Sequence, residues 1–145
     1  MKKRLDLAAE KGCDGADPDN VDGYLHDTGF EITEKEQFNY NTFLATEAKE
    51  RGLLVGLKND IPQIEALQPY FNFAVNEECH QYGECEEYLP FLREKMAVFN
   101  IEYDEKYLKD EEAFKELCSS SKEPGMSTIV APLALDGSFV KSCDY

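Results

Sequence analysis

The sequence predicts an α/β fold built on a parallel β-sheet, and two features of its hydrophobic pattern support this. Short apolar runs alternate along the 145 residues with longer amphipathic stretches, and the connections carry no hairpin signal. The apolar runs are also hydrophobic at consecutive positions, which is typical of strands that are covered on both faces. We therefore expect five successive strand–helix units.

The predicted elements follow one another in a regular order. The chain begins inside a helix that ends at Gly12. Strands are predicted at residues 13–18, 53–60, 71–78, 96–103 and 126–133, and the helices between them at residues 33–51, 62–67, 84–95 and 110–119. Thr33 and Glu36 form a capping box that starts the first long helix. The buried stripe of this helix is predicted to consist of Tyr40, Phe43, Leu44 and Ala48.

Composition limits the classes of function. Apolar residues make up 42% of the chain, with 8 Tyr and 9 Phe, which is enough for a hydrophobic core. The net charge of −15 repels nucleic acid and anionic membranes and favours a cationic partner. No apolar run approaches the ~20 residues of a membrane span, and no glycine-rich phosphate motif is present. We therefore expect no nucleic-acid partner, no membrane partner and no cofactor.

The five cysteines predict two disulfides in an oxidising compartment, so we expect an extracellular protein, although no signal peptide is visible in this chain. The predicted pairs and the leftover residue are Cys79–Cys85, Cys118–Cys143 and Cys13. The alternative is a zinc site formed by Cys79, His80 and Cys85. It lacks an evident fourth ligand because the other histidine, His26, is distant in sequence.

Polar residues cluster at the C-terminal ends of four of the predicted strands. They are Asp17, Asp19 and Asn20; Lys58, Asn59 and Asp60; Asn76, Glu77 and Glu78; and Glu102 and Tyr103. The carboxyl ends of parallel strands share one face, and in α/β architectures that face carries the active site. The sequence therefore predicts a polar rim rich in carboxylates.

Such a rim is suited to glycoside hydrolysis, in which two carboxyl groups flank the scissile bond. Calcium binding by Asp17, Asp19 and Asp22 is an alternative, but an EF-hand loop starting at Asp17 fails because its fifth and sixth positions are Val21 and Asp22. A calcium or magnesium site of another type and a solvated turn both stay open. The pair at residues 59–60 is also explained by a simple helix cap.

The barrel form of the α/β fold fits the chain better than the doubly wound form. The phosphate fingerprints of doubly wound domains are absent, and the abrupt start inside a helix suggests that about three N-terminal units are missing. A complete TIM barrel has roughly 250 residues. We therefore expect residues 1–145 to form one partial, N-terminally truncated (β/α) barrel domain.

The succession CDGADPDNVDGY, GLKND, FAVNEEC, VFNIEY and STIVAP resembles the second half of glycoside hydrolase family 114, the endo-α-1,4-polygalactosaminidase-like proteins. The resemblance spans nearly the whole chain. It implies a TIM barrel, secretion, and a substrate of α-1,4-linked galactosamine, which is cationic when it is not acetylated. By motif, the catalytic pair is Asp19 and Glu77. The residues expected to bind substrate are Asp17, Asn20, Asp22, Lys58, Asn59, Asp60, Asn76, Glu102 and Tyr103.

Two functions follow from this resemblance. The first is hydrolysis of a galactosamine-rich polysaccharide by two carboxyl groups, without a metal or cofactor. The alternative is a catalytically degenerate barrel fragment that binds sugar, because the family's opening strands are missing here. A truncated barrel would also leave the strand at residues 13–18 and the strand at residues 126–131 with open edges. We therefore expect self-association through these edges.

Overall fold

Parallel strands alternate with helices in both parts of the chain. The computed structural model describes residues 1–122 and 125–144, and these fall into two units, Met1–Val75 and Asn76–Tyr145. The third strand, β3 (Phe73–Glu77), begins in the first unit and ends in the second. In the part of the chain that the structure describes, no helix is both long enough and apolar enough to cross a membrane.

The first unit carries three parallel strands. Its elements are α1 (Lys2–Glu10), β1 (Gly15–Ala16), α2 (Glu34–Glu50), β2 (Leu54–Lys58), α3 (Ile64–Leu67) and the start of β3, with 3₁₀ turns at Gly23–Leu25, Ile61–Gln63 and Gln68–Tyr70. β2 pairs in parallel with β1 on one side and with β3 on the other. Gly56 allows this close pairing, because a Cβ atom there would overlap the ring of Phe73.

The second unit ends in an antiparallel pair. Its elements after β3 are α4 (Cys79–Tyr82), a 3₁₀ turn at Cys85–Tyr88, α5 (Leu89–Arg93), β4 (Ala97–Glu102), α6 (Lys106–Lys109), α7 (Glu111–Lys122), β5 (Ser127–Val130) and β6 (Lys141–Ser142). β4 and β5 are parallel, whereas β5 and β6 are antiparallel. The described pairs among the five predicted strands are parallel, as predicted, whereas β6 is an additional antiparallel strand, so the outer edge of β5 is not open.

The capping box predicted for α2 is confirmed. The backbone N–H of Thr33 donates to Glu36 Oε2 at 2.9 Å, and the N–H of Glu36 donates to Thr33 Oγ1 at 3.3 Å. The two disulfides are also present, linking Cys79 to Cys85 and Cys118 to Cys143. Cys13 is free and exposed.

The predicted buried stripe of α2 is only half correct. Leu44 and Ala48 are buried, but Tyr40 and Phe43 are 43% and 38% exposed and stack on each other at the surface. The buried face also includes Gln37, Asn41, Ala45 and Glu47, three of which are polar. Gln37 and Asn41 lie seven and three residues before Leu44, and therefore on the same helix face.

Several predicted boundaries also need correction. β1 has two residues rather than the six of residues 13–18, and each of the other strands is shorter than expected. The helix predicted at residues 84–95 begins as a 3₁₀ turn, and α5 starts only at Leu89. Pro90 explains this start, because proline lacks an N–H group and fits the first turn of a helix.

Self-association through β1 remains a prediction, because within the first unit β1 pairs with a described strand on one side only. We expect light scattering after size-exclusion chromatography to show a mass that rises with protein concentration. Ala16→Lys, which places a charge at this edge, should return the mass to that of the monomer. Ala66→Lys on the exposed face of α3 is the control. A single monomeric mass at all concentrations would contradict the prediction.

Candidate functional site

The chain turns sharply directly after the strands that carry the predicted site residues. In the first unit, Asn20, Asn59 and Asp60 have left-handed φ angles of 54°, 49° and 54°. In the second unit, Glu78 has a φ angle of 62°. Asn and Asp tolerate this conformation, whereas Glu adopts it less readily. Such backbone strain persists only where surrounding contacts impose it, and it is common at functional sites.

Asp19 forms an ion pair with Lys58 in the first unit. Lys58 is the last residue of β2 and is largely buried, and its Nζ lies 2.9 Å from Asp19 Oδ1. The side chain of Asp19 is 64% exposed, so this carboxyl group faces solvent on its other side. The hydrogen bond and positive charge of Lys58 lower the pKa of Asp19 below its ordinary value. Asp19 is therefore an ionised carboxylate at neutral pH.

A cavity of about 430 Å³ adjoins this carboxylate. Its acidic and amide lining comes from the loop after β1, with Asp17, Asp19 and Asn20, and its opposite lining comes from α1, including Arg4 and Leu5. Asp17 and Asn20 are exposed, as Asp19 is. Three of the predicted site residues are thus brought together at the carboxyl end of β1.

Asn41 holds the loops that carry these residues. Its side chain is fully buried, and its Nδ2 donates both to the carbonyl oxygen of Val21 at 2.8 Å and to Asp60 Oδ2 at 2.9 Å. Its Oδ1 accepts a hydrogen bond from Gln37 Nε2 at 2.9 Å. The loop after β1 and the turn after β2 are therefore both fastened to α2. Asn41 is not among the predicted site residues; the signal for it in the sequence is a pair of amides, Gln37 and Asn41, spaced four residues apart on one helix face.

Asp60 is buried rather than presented to solvent. Only 1% of the residue is exposed. Burial raises its pKa to about 6, against the opposing effect of the hydrogen bond from Asn41. Asp22 lies on the same loop as Tyr24, is partly exposed, and has its carboxylate 3.3 Å from His26 Nε2. Asp60 therefore supports the loop, whereas Asp22 remains accessible.

The second unit presents Glu77 at the end of β3. Glu77 is half-buried, and Tyr103, which follows β4, donates its hydroxyl hydrogen to Glu77 Oε1. Asn76 and Glu102 are also at strand ends but are buried, at 1% and 0% exposure. Alternate side chains of a strand point to the same face. Glu102 is buried because it shares the covered face of β4 with Val98 and Asn100. Burial raises the pKa of Glu102.

The geometry does not favour either metal alternative. Cys79, His80 and Cys85 have ligand atoms within 4.8 Å of one another, but both sulfur atoms belong to a disulfide and cannot act as thiolate ligands. Over residues 1–122 and 125–144, no second group of three His, Cys, Asp or Glu side chains converges in this way. The acidic loop at residues 17–22 thus offers no preformed calcium cage of that kind.

Comparisons with known proteins give one family and a small group of structures. The whole chain, residues 1–145, matches the sequence model of glycoside-hydrolase family GH114. The crystal structure of Aspergillus fumigatus Ega3 in complex with galactosamine is 35% identical, with a TM-score of 0.88, and the match covers 99% of this chain and 59% of Ega3. A comparison with curated proteins finds no significant match.

A second similar structure is the glycoside hydrolase domain of PelA from Pseudomonas aeruginosa. It is 15% identical, with a TM-score of 0.63, and the match covers 94% of this chain and 60% of that domain. This likeness concerns the fold alone. The chain thus spans about three fifths of the length of both proteins.

Replacement of Asp60 should change how stability depends on pH. Because the folded-state pKa of about 6 lies above the ordinary value of 3.8, the folded protein retains a proton that the unfolded chain has lost between these values. The contribution of Asp60 to the free energy of unfolding should therefore fall as pH rises from 4 to 7. Relative to the wild type, Asp60→Asn should gain up to about 3 kcal/mol over this range.

Urea denaturation at several pH values measures this difference. Glu65→Gln, which removes an exposed negative charge from α3, is the control for net charge. A difference between Asp60→Asn and wild type that stays constant from pH 4 to pH 7 would show that Asp60 is not held protonated by burial.

Proposed function

The chain belongs to glycoside-hydrolase family GH114, and from this premise we propose that it is a glycosidase that cleaves α-1,4-linked galactosamine-rich polysaccharide. The observation that carries the proposal is the family match over all 145 residues. The similarity to Ega3, whose crystal structure contains galactosamine, supports the choice of sugar. PelA adds only a similarity of fold.

The charge of the chain supports a polycationic substrate independently. The net charge is −15, and Asp17, Asp19 and Asp22 concentrate negative charge beside β1. A galactosamine polymer without acetyl groups carries one amine per sugar. Attraction between the two would raise the local concentration of substrate and would weaken as salt is added.

We assign the two catalytic roles to Asp19 and Glu77. Lys58 keeps Asp19 ionised, which suits a nucleophile at the anomeric carbon or a base that removes a proton from the attacking water. The general acid is then Glu77, which gives its proton to the glycosidic oxygen as the bond to the anomeric carbon breaks. The hydroxyl of Tyr103 holds Oε1 of Glu77 during this step.

The remaining rim residues divide by their exposure. Asp17, Asn20 and Asp22 are exposed or partly exposed and are proposed to contact the amino and hydroxyl groups of the sugar. Asn59, which is also partly exposed, is proposed to contact the sugar from the turn after β2. Lys58 acts on Asp19, and the buried Asp60 supports its loop.

The two disulfides support function outside the reducing cytosol, and we propose that the protein is secreted. The alternative function is binding of the polysaccharide without hydrolysis; this chain matches 59% of the length of Ega3.

Neutral, isosteric replacement of either carboxyl group tests the catalytic assignment. Asp19→Asn and Glu77→Gln should each lower kcat for endo-cleavage by a factor of about 100 or more, because general acid–base catalysis contributes about 10²–10⁴-fold. Product release from a soluble α-1,4-galactosamine polymer, in the protein as its gene encodes it, is the measurement. Asp27→Asn in an exposed loop is the control. Unchanged kcat in either catalytic variant would refute its role.

Lys58 should set the acidic limb of the pH–rate profile. Lys58 lowers the pKa of Asp19, so Lys58→Met should let Asp19 become protonated at a higher pH. The acidic limb of kcat/KM should therefore move to higher pH, whereas Lys58→Arg, which keeps the charge, should leave it close to that of the wild type. If Lys58→Met lowers kcat/KM equally at all pH values, Lys58 does not control the ionisation of Asp19.

A further inference from the structure

Residues 78–80 form a sharp turn that leads from the end of β3 into the first residues of α4. Glu78 has the left-handed backbone described above, which is unfavourable for a glutamate. α4 itself has only four residues, Cys79–Tyr82, and so short a helix gains little from its own hydrogen bonds. The geometry of this turn therefore depends on contacts from elsewhere in the second unit.

Three consecutive N–H groups of the turn are held by the strands. The N–H of Glu78 donates to the carbonyl oxygen of Ile101 on β4 at 2.8 Å. The N–H of Cys79 donates to Asn76 Oδ1 at 2.8 Å, and the N–H of His80 donates to Glu102 Oε1 at 2.9 Å. Two of these three acceptors are side-chain oxygens, so these two hydrogen bonds depend on the residue types at positions 76 and 102.

Both acceptor side chains are themselves fixed and buried. Asn76 Nδ2 donates to the hydroxyl of Tyr88 at 2.8 Å, and Tyr88 is fully buried. Asn100 Nδ2 donates to Glu102 Oε1 at 3.1 Å, on the covered face of β4. Neither Asn76 nor Glu102 reaches the solvent from which a polysaccharide would bind.

We propose that Asn76 and Glu102 are positioning residues that orient Glu77, rather than residues that contact the sugar. The inference rests on the proposed function, in which Glu77 is a catalytic carboxyl group. Tyr103 holds the carboxyl group of Glu77, while Asn76 and Glu102 hold the backbone that follows it. A displacement of about 1 Å in a reacting group can lower the rate on the order of 100-fold, so these contacts control kcat.

Two substitutions of Glu102 separate positioning from sugar contact. Glu102→Leu removes the acceptor for the N–H of His80, whereas Glu102→Gln keeps an oxygen at that place. Ser121→Ala is the matched control, because it removes the contact of Ser121 Oγ with His80 Nε2, at 2.8 Å, and leaves the backbone contact intact. If circular dichroism shows that Glu102→Leu is unfolded, Asn76→Ala and Asn76→Asp provide the same comparison at the other acceptor.

The kinetic readout is the split between kcat and KM on the galactosamine polymer. We expect Glu102→Leu to lower kcat by about 10- to 100-fold and to change KM by less than about twofold. Glu102→Gln and Ser121→Ala should keep kcat within about threefold of the wild type. A rise in KM with unchanged kcat in both Glu102 variants would mean that Glu102 binds the sugar and would overturn the inference.

Hydrogen exchange gives a second readout that does not require activity. Exchange at the amide of His80, whose N–H donates to Glu102, should be at least about tenfold faster in Glu102→Leu than in the wild type, and close to the wild-type rate in Glu102→Gln. Amides of β5 serve as the internal reference. Unchanged exchange in Glu102→Leu would overturn this inference and would leave the proposed function unaffected. Absence of hydrolysis by the wild type, with faster exchange in Glu102→Leu, refutes the proposed function while the support of the turn by Glu102 stands.

Discussion

The turns that follow the strands must satisfy their buried backbone groups, and the candidate site depends on how they do so. A chain that leaves a parallel strand and enters a helix exposes N–H and C=O groups that the sheet no longer pairs. Here buried polar side chains supply the partners. In the first unit, Asn41 donates to a backbone carbonyl group. In the second unit, Asn76 and Glu102 accept hydrogen bonds from backbone N–H groups. Each is buried and hydrogen-bonded, so the loops that carry Asp19 and Glu77 have defined positions.

Environment divides the carboxyl groups into distinct roles. All of them have similar pKa values in a peptide, and the chain contains 30 acidic residues. Asp19 has its pKa lowered by the hydrogen bond and charge of Lys58, whereas Asp60 and Glu102 have theirs raised by burial. The exposed, ionised group is suited to chemistry, and the buried groups are suited to holding loops. The number of acids in the rim therefore overstates the number available to a substrate.

Much of the fold was predictable because its signals are local. The capping box of α2 and the two cysteine pairs were predicted correctly, and the hydrophobic runs predicted the order of strands and helices. The buried face of α2 was not predicted correctly, because Gln37 and Asn41 on that face are polar and a hydrophobic pattern does not identify them. β6 was missed because the two residues of Lys141–Ser142 have no strand pattern. For the site, the positions at strand ends were predictable, but the burial of Asp60, Asn76 and Glu102 depends on packing that no local pattern records.

We propose that this acidic protein cleaves a cationic galactosamine polymer, and a comparison of one polymer in two charge states tests this proposal. The measurement is the rate of endo-cleavage of an α-1,4-galactosamine polymer before and after chemical N-acetylation, at about 0.05 M and about 0.5 M salt. We expect cleavage of the amine form, with a kcat/KM that falls several-fold at the higher salt and is lower for the acetylated form. Equal kcat/KM for both forms at both salt concentrations, or no cleavage of either, would contradict it.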